Sequence, residues 1–295
     1  MLYYTSDLPF PITHTPDTFS NFRKEVEKFV PVRKPLSTAD VALPDSMFKI
    51  DEGEIPGLRD FGFSDTELNF DPILKGGESA GLREMNYYLW DSNLVANYKE
   101  TRNELIGRDY STKFSAYLST GCLSPKLVAH QVFKYEKERT KNESTYRLVY
   151  ELMRRDFLRL MGKKYENKIF QLGGIQGNAK IIDNVDMHDF EKWASGNTGV
   201  SFVDANMRQL NETGFMSNRG RQNVASFLIN NMKLNWLLGA SYFESKLIDY
   251  DPCSNYGNWN YLAGVGNDVR TDRIFNIESQ AKFYDPEGEF VRRWI

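Results

Sequence analysis

Three polar segments of the chain carry side chains whose types and spacing could do chemistry. The first, residues 108–124, offers the hydroxyls of Ser111, Thr112 and Ser115 beside the charge of Lys113, just before a predicted helix. Backbone N–H groups are free where a helix begins, so this combination suits a pyrophosphate. An ordinary helix-capping segment has the same composition, and that alternative stays open.

The second polar segment, residues 213–223, is dense in basic and amide side chains around two glycines: Asn218, Arg219, Arg221, Gln222 and Asn223. Groups of this kind are costly to bury unless they are paired. They could face an anion, a heteroaromatic ring or a nucleic-acid strand. A solvated turn with a salt bridge is the alternative.

The third polar segment, residues 247–268, alternates acid and amide groups with aromatic rings: Asp249, Tyr250, Asp251, Asn255, Tyr256, Asn258, Trp259 and Tyr261. Carboxylates and carboxamides beside aromatic rings can frame the hydrogen-bonding edge of a bound ring. A turn-rich loop with aromatic packing is the alternative. We expect no metal site, because no third ligand accompanies Asp249 and Asp251 at a suitable spacing and the three histidines are scattered.

The elements that must position these segments are predicted to be helices. Residues 146–161 place apolar side chains at helical spacing, and residues 222–248 repeat the pattern. Strand-like alternation is scarce, and neither a G-x-G-x-x-G turn after a strand nor a Walker A motif occurs. The predicted fold class is mainly α, with irregular loops between the helices.

Residues 1–75 differ from the rest, because they contain eight of the eleven prolines. One helical stretch begins near Asp17, the predicted N-cap, and places Phe19, Phe22, Val26 and Val30 on one face. We therefore predict a linker-like arm with one helix over residues 1–75, lying on a helical domain of residues 76–295.

Composition limits the class of protein. The chain has 295 residues, 37 Lys and Arg against 40 Asp and Glu, and 41% hydrophobic residues, which is typical of a globular protein with a sizeable core. Two cysteines cannot form a disulfide framework, and no apolar run reaches the length of a membrane helix. A cytoplasmic protein is the expectation, with organelle import not excluded. The net charge of −3 argues against bulk coating of nucleic acid but permits a local basic patch.

The sequences of the three segments, and their order along the chain, are specific enough to indicate a family. STKFSAYLSTGCLSP, GNTGVSFVDANMRQLNETGFMSNRGRQNVASFL and LIDYDPCSNYGNWNYLAGVGND resemble the photolyase/cryptochrome family, and NRGRQNVASFL and DYDPCSNYGNWNY resemble its cryptochrome-DASH branch. The similarity extends from SDLPFP to YDPEGEFVRRW. It implies an all-helical FAD-binding domain behind the arm. Family members carry an α/β antenna domain ahead of it, which would here be missing or supplied by a separate polypeptide.

The resemblance implies a set of FAD contacts. The ribose and phosphates would be held by Tyr98, Ser111, Thr112, Lys113, Phe114 and Ser115. Asn218 and Arg221 would lie along the isoalloxazine, with Arg221 paired to Asp249. Asp249 and Asp251 would accept hydrogen bonds from the flavin and adenine ends, and Asn255 would face the flavin N5.

The resemblance also implies an electron relay of tryptophans. Trp259 matches its flavin-proximal member and Trp236 its middle member. The surface member is expected within residues 181–190, which contain no Trp. Tyr165 or Trp193 is the expected substitute. Without the resemblance, Trp259 and Trp236 would more often be core aromatic residues.

Light-driven splitting of cyclobutane pyrimidine dimers, in single-stranded DNA, is the leading function that the resemblance implies. Glu151 matches the carboxylate that contacts the lesion, and Arg154 stands where repairing relatives have Trp. Arg147 likewise replaces an expected Trp, and no histidine of the (6-4) branch stands beside the flavin. The expected DNA-binding residues are Arg154, Arg155, Arg219, Gln222, Tyr261 and Arg273. A non-catalytic blue-light receptor and a degenerate nucleic-acid-binding module without FAD remain as alternatives.

Overall fold

The computed structural model describes residues 1–36, 53–64, 72–177, 182–267 and 274–295. Secondary structure within these ranges is helical and includes no strand, so the mainly-α prediction is confirmed. The thirteen α-helices in this part of the chain are α1 Phe19–Phe29, α2 Glu78–Asn86, α3 Tyr98–Thr101, α4 Phe114–Thr120, α5 Pro125–Glu138, α6 Glu143–Tyr165, α7 Met187–Ser195, α8 Ser201–Thr213, α9 Asn218–Ser226, α10 Trp236–Lys246, α11 Pro252–Leu262, α12 Ile277–Tyr284 and α13 Glu289–Trp294.

Short helical turns connect several of these helices. Two single π-helical turns continue α2 and α9, over Tyr87–Asp91 and Phe227–Asn231. The 3₁₀ turns are Thr5–Asp7, Ile12–His14, Leu58–Phe61, Leu94–Asn97 and Glu166–Phe170.

The longest helix, α6, is the central element. Its side-chain cap is Asn142, whose Oδ1 accepts from the N–H groups of Ser144 and Thr145 at 2.9 and 3.0 Å. The predicted apolar stripe is buried against α1, α3, α5 and α11. One charged residue interrupts this buried face: Asp156 is fully buried, and its Oδ2 accepts from the N–H of Tyr3 at 3.0 Å. This bond ties the N-terminal segment to α6.

Within residues 1–36 of the predicted arm, α1 and the turn Ile12–His14 pack on α6, but α1 is not capped by the predicted residue. Thr18 is the N-cap of α1 and accepts from the N–H of Asn21 at 3.4 Å. Asp17 instead accepts from Lys164 and Tyr165 at the end of α6, at 2.6 and 2.5 Å, so the Asp17 cap prediction was wrong. The domain boundary at residue 75 remains a prediction.

The helical pattern predicted over residues 222–248 is divided between α9 with its π turn and α10. The chain leaves α9 through a π turn, and Lys233 adopts a left-handed φ of 56° before Asn235 caps α10. A residue in that region cannot continue a right-handed helix. The third polar segment, by contrast, is no loop between residues 252 and 262: Asp251 accepts from the N–H of Ser254 at 2.9 Å and begins α11, with Pro252 in its first turn.

Two apolar clusters flank the centre of the molecule. One contains α1, α2, α4, α5 and α6, and the other contains α7 to α11 with parts of α12 and α13. The polar segments predicted to carry chemistry meet between these clusters.

Candidate functional site: a two-part cleft

A cleft made of two adjoining cavities collects the three predicted segments. The cavity between α9 and α11 has an empty volume of about 760 Å³, and the cavity between α4 and α6 has about 1270 Å³, both including space open to solvent. They share the walls formed by Arg154, Arg221, Asp249 and Asp251. The volumes are in the range of small-molecule sites or above it.

Lys113 is the buried cation of the α4–α6 cavity. Its backbone is left-handed, with a φ of 54°, and its Nζ lies 3.1 Å from Oγ of Ser111. The ammonium also lies over the rings of Tyr110 and Phe215, at 3.3 and 4.5 Å from their centroids. Burial, followed by repulsion from Arg221, lowers the pKa of Lys113 to about 7. An anionic ligand in this cavity would restore the charged form.

The rest of the predicted phosphate segment lines the same cavity. Thr112 is buried, and its Oγ1 accepts from the N–H of Phe114 at 3.3 Å at the start of α4. The predicted contacts on the walls of this cavity are Tyr98, Ser111, Thr112, Lys113, Phe114 and Ser115. Tyr98 and the distant segment 111–115 are thus gathered around one cavity.

The expected pairing of Arg221 with Asp249 is present at the junction of the two cavities. Arg221 donates from Nη2 to Oδ2 of Asp249 and from Nε to the carbonyl of Met216, both at 2.9 Å. The Asp249 side chain is 4% exposed, whereas that of Arg221 is 26% exposed. The second oxygen, Oδ1 of Asp249, is buried without a hydrogen-bond donor. It can accept an N–H group from a ligand.

Asp251 is held by a partner that the sequence did not reveal. Arg159 on α6 donates from Nε and Nη2 to its Oδ2, at 3.1 and 2.5 Å. Burial opposes ionisation of Asp251, but the Arg159 and Ser254 hydrogen bonds outweigh burial and lower the pKa of the carboxyl. Asp251 is therefore an anionic hydrogen-bond acceptor on the wall of both cavities.

Asn255 and Trp259 lie one turn apart on α11, in the wall of the α9–α11 cavity. Nδ2 of Asn255 donates to the carbonyl of Ala240 at 2.9 Å, which fixes the amide plane. The buried Trp259 ring packs against Phe243 and Trp193, with centroid distances of 5.2 and 6.4 Å. Both residues therefore line one cavity, and their roles beside a flavin stay predictions.

Trp236 lies apart from the cleft. Its Nε1 donates to the carbonyl of Leu172 at 3.0 Å, and its ring packs against Tyr256 at 6.3 Å. Among the rings in the described ranges, Trp259 makes its indole contact with Trp193, not with Trp236. Of the two expected substitutes for a third tryptophan, Trp193 thus contacts Trp259, while Tyr165 hydrogen-bonds to Asp17.

Glu151 lines the α4–α6 cavity, but its carboxylate is ion-paired with Arg147 on the same helix and with Arg102 at the end of α3. Its Oε1 lies 3.0 Å from Nη2 of Arg102 and 2.9 Å from Nε of Arg147. Arg147 also lies over the ring of Tyr150, at 4.3 Å. The arginine that replaces an expected tryptophan therefore holds the carboxylate predicted to contact a lesion.

The predicted nucleic-acid residues do not form one rim. Arg154, Gln222 and Tyr261 line the α9–α11 cavity, with the Arg154 guanidinium 5.8 Å from the Tyr261 ring. Arg155 lines only the α4–α6 cavity, where Nη2 donates to the carbonyl of Leu118 at 2.8 Å and Nη1 is buried without an acceptor. Burial, followed by repulsion from Arg159, lowers the pKa of Arg155.

Arg219 lies next to the α9–α11 cavity without lining it. Its guanidinium lies 4.7 Å from the ring of Tyr284 and 5.8 Å from the ring of Phe275, which lines that cavity, and Nη1 donates to Gln280 at 3.4 Å. Its part in DNA binding stays a prediction. Arg273 lies outside the described residues.

The charges and unpartnered atoms of the cleft fit FAD. The α4–α6 cavity has five cationic side chains, Arg102, Lys113, Arg154, Arg155 and Arg221, against three carboxylates, Glu151, Asp249 and Asp251. A dianionic pyrophosphate would balance that excess. The buried Nη1 of Arg155 lacks an acceptor and the buried Oδ1 of Asp249 lacks a donor, as expected where a ligand supplies both partners.

Comparison with known proteins defines the class. The family model described as the FAD binding domain of DNA photolyase matches residues 142–295, which is more than half of the chain. The chain belongs to this family and is a flavoprotein of the photolyase/cryptochrome-DASH type, with FAD as its cofactor.

Among curated relatives, Cryptochrome DASH of Danio rerio is 49% identical and that of Gloeobacter violaceus 48% identical, each across the whole chain. The chain spans 57% and 59% of their lengths. The crystal structure of a Synechocystis cryptochrome matches 100% of this chain and 61% of its own, with a TM-score of 0.92 and 48% identity. The Sulfolobus tokodaii photolyase, solved with two FAD molecules, matches 100% of this chain and 60% of its own, with a TM-score of 0.74 and 27% identity.

Two other kinds of site are not found in the described residues. In the residues that the structure describes, no helix is long and apolar enough to cross a membrane, and no cluster of His, Cys, Asp and Glu could hold a metal ion. Both cysteines are unpaired and partly buried.

Several cleft residues were missed by sequence reasoning. Arg159 and Arg102 are cations on helices or at helix ends, and only the packing of distant segments brings them to Asp251 and Glu151. Tyr110 and Phe215, which sandwich the Lys113 ammonium, read as ordinary core aromatics. The one signal in the sequence for such a site was the position of Lys113 between Tyr110 and Phe114.

Proposed function

We propose that this chain binds FAD in the two-part cleft and uses it for light-driven electron transfer to cyclobutane pyrimidine dimers in single-stranded DNA. The observation that carries the proposal is the pair of buried, unpartnered polar atoms on residues that line the cleft, Oδ1 of Asp249 and Nη1 of Arg155. When bound, reduced FAD would supply one electron to the dimer under blue light and take it back after the ring bonds break.

The side chains of the cleft bind and orient the ligands, and they exclude water. Lys113 and Arg155 neutralise the pyrophosphate in the α4–α6 cavity, and Asp249 with Arg221 fixes the hydrogen-bonding edge of the ring. Asn255 presents an amide held by the carbonyl of Ala240. Arg154, Gln222 and Tyr261 form the wall of the α9–α11 cavity that a flipped base would meet.

Single-stranded DNA is the proposed form of the substrate. A base in duplex DNA must be unstacked and extruded at a cost of a few kcal/mol, which a single strand largely avoids. Tyr261 offers a stacking ring and Arg154 a cation at the cavity wall, a combination that single-strand-binding proteins use.

The experiment begins with the absorption spectrum of the purified protein and its reconstitution with FAD and, separately, FMN. FAD should bind more tightly than FMN, because the adenine and phosphate side adds contacts. Repair of a dimer in single-stranded DNA under blue light is then compared with the same protein in the dark. Bound flavin without any light-dependent repair would contradict the catalytic proposal while retaining the FAD site.

A second candidate is a non-catalytic blue-light receptor. The observation that favours it is the ion pairing of Glu151 with Arg102 and Arg147, since a carboxylate so held is less available to a lesion. Arg147→Trp tests this: gain of repair in that variant would show that the pairing suppresses catalysis. The third alternative, a nucleic-acid-binding module without FAD, fails if flavin co-purifies.

A partner polypeptide and a cellular compartment can also be proposed. We propose that a separate α/β polypeptide can serve as an antenna partner, which co-purification from the source cell would test. We also propose the cytoplasm as the compartment, although the Arabidopsis thaliana relative carries the name Cryptochrome DASH, chloroplastic/mitochondrial. Fractionation of the source cell, followed by immunodetection of the chain, decides between these compartments.

A further inference from the structure

A phenol–carboxylate pair adjoins the indole of Trp236. The Tyr256 ring meets the Trp236 ring edge-on, with a centroid distance of 6.3 Å and an interplanar angle of 75°. The Tyr256 hydroxyl donates to Oε2 of Glu244 at 2.9 Å. Tyr256 is 7% exposed, while Glu244 is exposed to solvent on α10. A buried aromatic pair is thus joined to solvent through one carboxylate.

This arrangement has the parts that tyrosine oxidation requires. A phenol that loses an electron becomes a strong acid, so electron loss is favourable only when a base can take the proton. Glu244 lies within the hydrogen-bond range of about 2.6–3.2 Å that proton transfer needs. Its position at the surface lets the proton pass on to water. Burial, followed by Glu244, also raises the pKa of the neighbouring Tyr250.

Two other tyrosines lack one of these parts. Tyr242 contacts Trp193 at 5.8 Å, but its hydroxyl donates to the neutral oxygens of Ala194 and Asn211. Tyr165 donates to the carboxylate of Asp17, yet it has no ring contact with a tryptophan among the rings described. Tyr256 combines both features.

We propose that Tyr256 is the terminal electron donor to oxidised Trp236 and that Glu244 is its proton acceptor. The inference rests on the proposed function, because the oxidant is the light-excited flavin of that site, and the order Trp259 then Trp236 is the one that the resemblance implies. It assigns the solvent end of the relay to a tyrosine, because residues 181–190, where the surface tryptophan was expected, contain no tryptophan.

The step balances in electrons and protons. Trp236, having lost one electron, regains it from Tyr256. The Tyr256 O–H bond breaks at the same time, and its proton forms a new O–H bond on Oε2 of Glu244. A neutral phenoxyl radical remains. A thiol in solution returns one electron and one proton to the phenoxyl oxygen, and Glu244 releases its proton to water.

The first test uses the flavin-loaded chain and flash excitation with blue light. In wild type, the tryptophan radical should decay as the phenoxyl radical appears, more slowly in D₂O. Tyr256→Phe keeps the ring but removes the hydroxyl, so the tryptophan radical should live at least about tenfold longer and the phenoxyl radical should be lost. Glu244→Gln keeps a hydrogen-bond acceptor that cannot take the proton, and should slow phenoxyl formation by about tenfold.

The matched control is Tyr146→Phe, which removes a phenol bound to Glu27 at 2.6 Å. It should behave as wild type, and Tyr165→Phe should do the same. Phenoxyl formation at the wild-type rate in Tyr256→Phe, or its loss in Tyr165→Phe alone, would overturn the proposal. Phenoxyl formation at the wild-type rate in Glu244→Gln would show that Glu244 is not the proton acceptor.

A second measurement does not need flavin and separates this inference from the proposed function. Azide radicals, generated by pulse radiolysis, oxidise tryptophans in the full chain. If Tyr256 reduces Trp236, then Trp236→Phe and Tyr256→Phe should each remove the same fraction of phenoxyl formation, and the double variant should remove no more. Additive losses would overturn the inference even if FAD binds. Non-additive losses would support it even if FAD does not bind.

Discussion

Arg159 on α6 donates both Nε and Nη2 to the same oxygen of Asp251, the residue that caps α11, across 92 positions of sequence. The bond joins the helix of the phosphate-side wall to the helix of Asn255 and Trp259. Because Asp251 also accepts from the N–H of Ser254 at 2.9 Å, one carboxylate both begins α11 and docks it on α6. The spacing of the two cavities therefore depends on this residue.

Asp251→Asn and Asp251→Ala should separate these two roles. An amide oxygen can still cap α11, so Asp251→Asn should lose mainly the ion pair, roughly 1–3 kcal/mol because Arg159 is 28% exposed and partly screened by solvent. Asp251→Ala should lose about 1 kcal/mol more with the cap. Urea unfolding of the flavin-free chain measures the free energy of unfolding of both variants. Equal losses of stability in the two variants would contradict separate ion-pair and capping roles for Asp251.

The Asp251 carboxyl also predicts an acid dependence. Its folded pKa lies below the ordinary value of 3.8, so its ionic contribution to stability is present above that value and is lost as pH falls through the folded pKa. The difference in unfolding free energy between wild type and Asp251→Asn should therefore shrink below about pH 4. A difference that stays constant between pH 6 and the acid limit would contradict the pairing.

Lys113 predicts that FAD affinity depends on pH. In the structure, burial lowers its pKa to about 7, with Arg221 adding repulsion and Glu84 and Asp109 opposing it. A bound pyrophosphate would raise that pKa, so above pH 7 binding must take up a proton and the affinity should fall, by at most about tenfold per pH unit. Below pH 7 the dependence on this group should be flat.

Lys113→Met tests the assignment, because it keeps an unbranched apolar stem between Tyr110 and Phe215 and removes the titrating group. Its FAD affinity should be lower at pH 6 and should lose the decline above pH 7. Fluorescence titration with FAD between pH 6 and 9 measures both. A wild-type pH profile in Lys113→Met would assign the proton uptake to another group.

Helix periodicity and polar composition predicted much of this structure, and the exceptions have local causes. The stripe on α6 and the gathering of residues 111–115 near Arg221 followed from pattern and resemblance. The break after α9 did not, because the left-handed backbone of Lys233 is common only for Gly, Asn and Asp. The pairings of Arg159 with Asp251, and of Arg102 with Glu151, depend on the packing of distant segments and leave no trace in local sequence.

Gly239 leaves space for the Trp259 ring, which packs directly against its backbone. A Cβ at this position of α10 would overlap Cη2 of the Trp259 ring and come within 2.7 Å of Leu228. Gly239→Ala should therefore destabilise the chain by roughly 1–3 kcal/mol and displace the indole, despite the higher helix propensity of alanine. The tryptophan fluorescence spectrum and urea unfolding report both effects. Gly76→Ala, where a Cβ meets no atom within 4 Å, is the control and should be nearly neutral.

Arg154 lines both cavities, and its guanidinium lies 5.8 Å from the rings of Phe19 and Tyr261. A cation there favours the phosphates of any strand, whereas an aromatic ring favours an extruded base. Arg154→Trp should therefore raise the preference for dimer-containing over undamaged single-stranded DNA and flatten the dependence of binding on salt. Arg154→Leu is the control, since it removes the charge without adding a stacking surface. It should flatten the salt dependence alone. Fluorescence anisotropy at several salt concentrations separates the two effects, and an unchanged lesion preference in Arg154→Trp would place Arg154 outside the substrate pocket and favour the receptor function.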